Sequence, residues 1–363
     1  MNSFSWKLRL ALLCMSSGGA GGVRPPLARR LRLLYANNRH LTPRRVLNLA
    51  LVRIERKLGR TRLLSRPYQL CIDVSNKCSL TCPFCPTGRR EVGRGRGNIG
   101  YDTFTEIVDE LAPYAFTLEL FNWGEAFFNP ELPRLIEYAH HKRMVTLLSS
   151  SLSFRLSDDS IRAIIRGGLT HLGASVDGAD QQSYEVYRRG GKFDLVMENL
   201  RRFVRIKREL GSDFPRISWN YLIFAHNEDR VEDARRRAQD LGLDGFAASG
   251  GLYEDPSWGP KGDYQYGYLD IHPNRCTWLW GKAVFHWDGG VASCCMGFYK
   301  HDDFADWKPG SFSRMWNNEK FIAARRIWTD PASPLPADHF CTGCEKVRLY
   351  RSLPPPMVPS ADE

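Results

Sequence analysis

The sequence predicts an α/β fold, a partial (β/α)6 barrel followed by a small cysteine-rich C-terminal domain. Three observations carry this. Between Gln69 and Ser249, six short apolar runs alternate with helical stretches, the pattern of parallel strands with covering helices. Six such units in about 180 residues are too few for a closed eight-unit barrel. After Gly250 the alternation stops, and cysteines and tryptophans become dense while helices become scarce.

Residues 1–66 read as a basic helical extension. Of the 51 Lys and Arg and 40 Asp and Glu, fifteen bases and one acid, Glu55, fall there, so 36 bases face 39 acids in the rest. The body is slightly acidic, which argues against a nucleic-acid groove. Lys7 and Arg9 before Leu10-Ala11-Leu12-Leu13 faintly resemble a secretory signal, but that apolar run is short for one. No later run approaches the roughly 18 apolar residues of a membrane span. Residues 24–66 predict two basic helices. In the second, Thr42 is the N-cap, Pro43 the first helical residue, and Gly59 lies past the end. Its apolar Val46, Leu47, Leu49, Ala50, Val52 and Ile54 are expected to pack on the barrel, leaving Arg44, Arg45, Arg53, Arg56 and Lys57 in water. The sharper alternative is weak contact of the basic arm with an anionic membrane surface.

Within a barrel domain at 67–250, the predicted strands are Gln69–Ser75, Thr117–Asn122, Val145–Ser149, His171–Val176, Arg216–Phe224 and Gly245–Ser249. The helices are Thr103–Leu111, Pro130–Lys142, Asp158–Arg166, Leu195–Leu210 and Asp229–Leu241. The C-terminal domain spans 251–353. It opens with a Gly-, Pro- and Trp-rich linker or lid to Gly262 and contains one helix near Ser313–Ile327. Residues 354–363 are expected to be disordered.

Seven of the ten cysteines fall into ligand patterns. Cys78, Cys82 and Cys85 form C-x3-C-x2-C on the loop after the first strand. Three thiolates on one loop suit three irons of a cubane and leave the fourth iron open for chemistry. Half a zinc site is the alternative, since C-x2-C recurs in zinc ribbons. Zinc needs a fourth ligand, however, and the only nearby one, Cys71, lies within the predicted strand. Cys276, Cys294, Cys341 and Cys344 supply four more thiolates from two separated segments, for which a structural zinc remains the alternative. Cys295 is surplus. Thiolate ligation fits a reducing compartment, here the cytoplasm.

The C-x3-C-x2-C motif with Phe84 before its last cysteine resembles that of the radical S-adenosylmethionine (SAM) enzymes, over residues of about 68 to 350. The resemblance implies a [4Fe–4S] cluster on Cys78, Cys82 and Cys85, with SAM chelating the fourth iron. One electron, from a flavodoxin- or ferredoxin-type donor, would then cleave SAM to a 5′-deoxyadenosyl radical that takes hydrogen from a substrate. Asn122-Trp123-Gly124-Glu125 resembles the segment that receives the SAM amino group, although the family's usual Gly-Gly-Glu-Pro has become Trp-Gly-Glu-Ala. Ser175-Val176-Asp177-Gly178 resembles a segment near the SAM ribose or carboxylate, and Arg188 or Arg189 is placed like an arginine that pairs with that carboxylate. The spacing of Cys276, Gly289 and Cys294 looks like the start of a SPASM or twitch domain, with a hairpin at Trp287–Val291 and a helix around Trp316-Asn317-Asn318. No cysteine follows Cys344, which implies one auxiliary [4Fe–4S] cluster on Cys276, Cys294, Cys341 and Cys344. This twitch-like count points to oxidation or epimerisation of a sugar-like or carbocyclic small molecule, with Cys295 as candidate hydrogen donor. The alternatives are a maturase acting on a ribosomal peptide or a sulfatase, and a non-catalytic iron–sulfur or zinc protein.

Overall fold

The computed structural model describes residues 39–262, 264 and 276–352. The signal-like stretch, the first basic helix, residues 263 and 265–275 after the linker, and the C-terminal tail lie outside the described residues. The chain divides into two units, 1–43 and 44–363, and the second holds the elements below, the first residue of α1 aside. Residues 44–66, read above as part of an N-terminal extension, therefore belong to the same unit as the barrel.

Six strands follow in chain order: β1 (Gln69–Ile72), β2 (Thr117–Glu119), β3 (Val145–Ser150), β4 (His171–Ser175), β5 (Arg216–Ile223) and β6 (Gly245–Gly250). Each pairs in parallel with the next. The helices up to β6 are α1 (Pro43–Lys57), α2 (Tyr101–Leu111), α3 (Leu132–His141), α4 (Asp158–Arg166), α5 (Gln181–Tyr187), α6 (Phe193–Glu209) and α7 (Val231–Asp240). Along β5 buried and half-buried residues alternate, as a period of two requires. Leu70, Leu118, Leu148, Leu172 and Trp219 lie in one core with helix residues such as Phe104, Leu135, Ile161 and Phe203. The opposite parity puts Ser149, Ser175, Ser218 and Asn220 on the barrel's inner face.

The sheet does not stop at six strands. After α8 (Trp278–Gly281), β7 (Lys282–Phe285) pairs in parallel with the free edge of β1, from Gln69↔Lys282 to Ile72↔Phe285. β8 (Gly290–Ala292) and β9 (Ala305–Asp306) add antiparallel, giving the order β6-β5-β4-β3-β2-β1-β7-β8-β9. The expected Asp-Gly turn joins β7 to β8, with Gly289 at φ +84°. The helix expected over 313–327 is two, α9 (Phe312–Trp316) and α10 (Glu319–Arg326); α11 (Glu345–Ser352) ends the described chain. The break has a local cause. Asn318 caps α10 by accepting from the Phe321 amide, while Asn317 bonds both the amide and the carbonyl of Leu63. Sequence reading also missed α5, which Asp180 and Ser183 start as a capping box.

α1 packs opposite to expectation. Its buried residues are Arg45, Asn48, Val52 and Glu55, whereas Val46, Leu47 and Ile54 are exposed. Arg45 donates to the carbonyls of Ala112, Lys142 and Arg143, groups left over at the ends of α2 and α3. Asn48 bonds Arg66 through its amide and carbonyl, and Glu55 accepts from the Leu64 and Ser65 amides. A helix whose polar groups complete other backbones has its apolar residues left on the outside.

Arg325 serves the C-terminal domain in the same way. It is fully buried and donates to the carbonyls of Thr61, Leu279 and Trp316, with its guanidinium 4.6 Å from the Trp316 ring centroid. Burial pulls its pKa down to about 9. Arg325→Leu is expected to lower the unfolding free energy by at least about 3 kcal/mol, since three buried acceptors lose their donor. Urea denaturation of the variant against the parent checks this.

Candidate functional site

The first three cysteines sit on a tight loop beyond the end of β1. The Cys85 amide donates to the Cys82 carbonyl at 3.2 Å, and Arg89 N to Cys85 O at 2.8 Å. A Cβ on Gly88 would lie 2.6 Å from both Cys82 N and Cys82 O, so only glycine closes this turn. The three thiols act on one another. Burial pushes the Cys78 thiol up to about 12, the Leu80 amide opposes this, and the charges of Cys82 and Cys85 add to the rise. Cys82 is also raised by burial, and Arg188 opposes that rise. Metal ligation would remove these protons outright. Phe84 stands edge-on to Trp258, with ring centroids 4.9 Å apart, and beside Tyr187 and Phe224. Trp258 comes from the linker, which Arg89 also holds by an ion pair to Glu254 at 2.8 Å.

Trp123-Gly124-Glu125 lies against the entry to this loop. A Cβ at Gly124 would meet Ser75 O at 2.0 Å and Asn76 Cα at 2.6 Å, so the close approach that requires glycine is to the cysteine loop's own backbone. Glu125 N then donates to Lys77 O at 2.8 Å. The Glu125 carboxylate is buried and accepts from both the amide and the hydroxyl of Ser151 at 2.9 Å. Burial raises its pKa, and the Ser151 amide opposes the rise. Asn122 Nδ2 beside it is buried with no partner. Trp123, the departure from the family pattern, donates its indole N–H to Gly297 O at 2.8 Å and stands edge-on to Phe298, tying β2 to the C-terminal domain.

Asp177 and Arg188, both expected near a SAM ligand, are paired with each other. Arg188 Nε lies 2.5 Å from Asp177 Oδ2, while Asp177 Oδ1 accepts from Leu222 N at 2.6 Å. Burial raises the Asp177 pKa against the opposing charge of Arg188. α5 starts at the Asp180–Ser183 capping box and ends at Arg188, its C-cap residue. Ser175 pairs with Ser149, their hydroxyls 2.9 Å apart on the inner face.

The C-terminal thiols also converge. Cys294 is raised well above the ordinary range by burial, then by Cys295, Cys341 and Cys276; Cys341 is raised by burial, then by Cys276 and Cys344. Backbone amides of Leu279 and Trp278 donate towards Cys276 and that of Met296 towards Cys294, the kind of contact that tunes cluster sulfurs. Burial lifts Cys295 to about 12, and Glu119 on β2, Lys282 on β7 and Cys276 act on it in turn. Sequence reasoning missed a buried chain of charge at the junction of β1 and β7. His286 lies 3.9 Å from Asp73 and 3.7 Å from Asp303, and Arg94 holds Asp303 and Asp288, each at 2.5 Å. Its signal was Asp73, a carboxylate in an apolar strand run.

The comparisons with known proteins bear on both thiol groups. Residues 72–238 match the radical SAM superfamily, and residues 276–345 match SPASM, an iron–sulfur cluster-binding domain. The chain carries a radical SAM domain followed by a SPASM domain. Fe-coproporphyrin III synthase of Methanosarcina barkeri is 22% identical over 298 residues, 68% of this chain and 72% of that one. PqqA peptide cyclase of Gluconobacter oxydans is 24% identical over 180 residues, 50% of this chain, and the chain spans 48% of that relative's length. Among solved structures, Streptococcus suis SuiB bound to SAM shares the fold, with a TM-score of 0.58 and 12% identity over 96% of this chain and 82% of that one.

A radical SAM domain takes a [4Fe–4S] cluster and SAM, and a SPASM domain takes auxiliary iron–sulfur clusters. The residues present fit. Both donor sets are all-thiol, and Asn122 Nδ2, three residues before Glu125 in the chain, is a buried polar atom with no protein partner. Among the described residues no three His, Cys, Asp or Glu side chains close around a single metal ion. When bound, cluster and SAM together supply a 5′-deoxyadenosyl radical. The chain's part is to hold three thiols on the Gly88 turn, present the Glu125 carboxylate beside them, and wall the loop with Phe84, Tyr187 and Trp258.

Two outcomes test this assignment. Glu125→Gln keeps the shape but removes a charged acceptor, so SAM binding by the reconstituted protein should weaken roughly ten- to a hundredfold in equilibrium dialysis. Reconstituted protein should hold about eight irons, twice the four of one cubane. Cys294→Ser should halve that count, whereas Cys295→Ala should keep it.

Proposed function

We propose that this chain is a radical SAM enzyme that modifies a peptide or protein, with a flavodoxin- or ferredoxin-type donor supplying the electron. Cys276, Cys294, Cys341 and Cys344 hold one auxiliary [4Fe–4S] cluster in this reading. The observation that carries it is the barrel's likeness to a PqqA peptide cyclase, together with a C-terminal SPASM match. SuiB, which shares the fold, has also been solved with its precursor peptide SuiA. The inner face agrees. Ser149, Ser175, Ser218 and Asn220 present short uncharged donors and acceptors, which suit the amides of an extended backbone.

The relatives support this over the oxidation or epimerisation of a sugar-like molecule, the expectation drawn from the cysteine count. That count says how many electrons the C-terminal domain can relay and nothing about substrate shape. A tetrapyrrole substrate is the second reading, because Fe-coproporphyrin III synthase aligns over most of the chain. In a reaction that leaves the product's hydrogen count unchanged, the buried Cys295 thiol is a candidate donor of hydrogen to the substrate radical.

The test is anaerobic turnover with dithionite and SAM, reading 5′-deoxyadenosine and product mass. Peptides encoded beside the gene should raise SAM cleavage about tenfold or more, and the product should either lose hydrogen mass by oxidation or, where Cys295 returns a hydrogen, keep its mass and take up deuterium from heavy water. Stimulation by coproporphyrins or sugars alone would sink the peptide reading. Cys295→Ala should lower product formation while leaving SAM cleavage intact, and unchanged product removes that thiol from the reaction.

A further inference from the structure

The inverted packing of α1 leaves a surface that neither the barrel nor the cysteine sites explain. Val46, Leu47, Ile54 and Leu58 are 49%, 71%, 55% and 57% exposed, and Leu64 just beyond the helix is 81% exposed. At 100° per residue, Val46, Ala50, Ile54, Leu47 and Leu58 fall on one continuous stripe, opposite Arg45, Asn48, Val52 and Glu55. The stripe is not bare aliphatic surface. Arg44, Arg53, Lys57, Arg60 and Arg62 are exposed on and around it. The only acid in residues 1–66, Glu55, is 5% exposed and turned to the Leu64 and Ser65 amides, so it offers the surface no negative charge.

Charge decides the occupant. A second copy of the chain would bring the same arginines to the stripe. That copy would meet it with like charge. An aliphatic stripe rimmed by long cationic side chains matches the boundary of an anionic bilayer, where the aliphatic groups enter the acyl region and the cations reach the phosphates. Among the described residues no helix is long and apolar enough to cross a membrane, so this contact is parallel to the surface.

We propose that α1, with Leu64 beside it, docks the enzyme on an anionic membrane surface. The contact is electrostatic in its attraction and aliphatic in its anchoring, and it is independent of which substrate the barrel takes.

The test uses the full-length reconstituted protein and co-sedimentation with vesicles of phosphatidylcholine containing about 30% phosphatidylglycerol. The protein should bind these vesicles and not pure phosphatidylcholine, with affinity falling about tenfold or more as salt rises from roughly 0.1 to 0.5 M. The triple variant Leu47→Glu, Ile54→Glu, Leu58→Glu should lose binding about tenfold or more, yet keep its Tm and its SAM cleavage, because exposed side chains hold little of the fold. Two results overturn the proposal. If the triple variant still binds, the basic arm and not α1 makes the contact. If the parent ignores vesicles and the variant melts several degrees lower, the stripe is covered by protein.

Discussion

The arrangement depends on one backbone contact. Where β2 ends, Gly124 presses so close to Ser75 and Asn76 that no side chain fits between them. That contact brings Glu125 N to Lys77 O, one residue before Cys78, and so locks the carboxylate segment to the cysteine loop. It also aims Trp123 outward to Gly297, three residues past Cys294. One missing Cβ thus sets both thiol groups relative to the same strand end. The family's usual first glycine would leave the position of Trp123 bare. Here an indole fills it and joins the two domains.

Buried cations recur as structural fasteners. Arg45 and Arg325 finish leftover backbone carbonyls, Arg188 neutralises Asp177 beneath Cys82, and Arg94 spans Asp288 and Asp303. A guanidinium suits each place because it offers five fixed donors and keeps its charge when buried. The same economy explains the outer surface. Spending the polar face of α1 on the ends of α2 and α3 leaves its aliphatic face to meet something other than this chain.

Much of the site was legible from spacing alone. Cys78, Cys82 and Cys85 are local, and four residues of chain cannot separate them far. Gly124 and Glu125 were legible by motif, and the Asp288-Gly289 turn by its φ requirement. Side-chain direction was not legible: that Arg188 pairs with Asp177 depends on α5, a short helix that the apolar periodicity does not announce. Asp73 stood out as a carboxylate in an apolar run, but its partners His286 and Asp303 lie over two hundred residues away and could not be read from spacing.

By itself the sequence determined the alternation of strands and helices, the loop of three thiols, and the four later cysteines. These follow from period, spacing and residue type, which are properties of short segments. Only the tertiary structure decided that β7 extends the barrel's sheet from β1, that Cys295 lies near Glu119 and Lys282 as well as the other C-terminal thiols, and that α1 buries Arg45, Asn48 and Glu55 beside Val52 while Val46, Leu47 and Ile54 stay exposed. Each of these depends on which distant backbone groups remain unpaired after the local elements form. A helix buries whichever face completes those groups, and for α1 the need of Ala112, Lys142 and Arg143 for a donor outweighed the hydrophobicity of its other face.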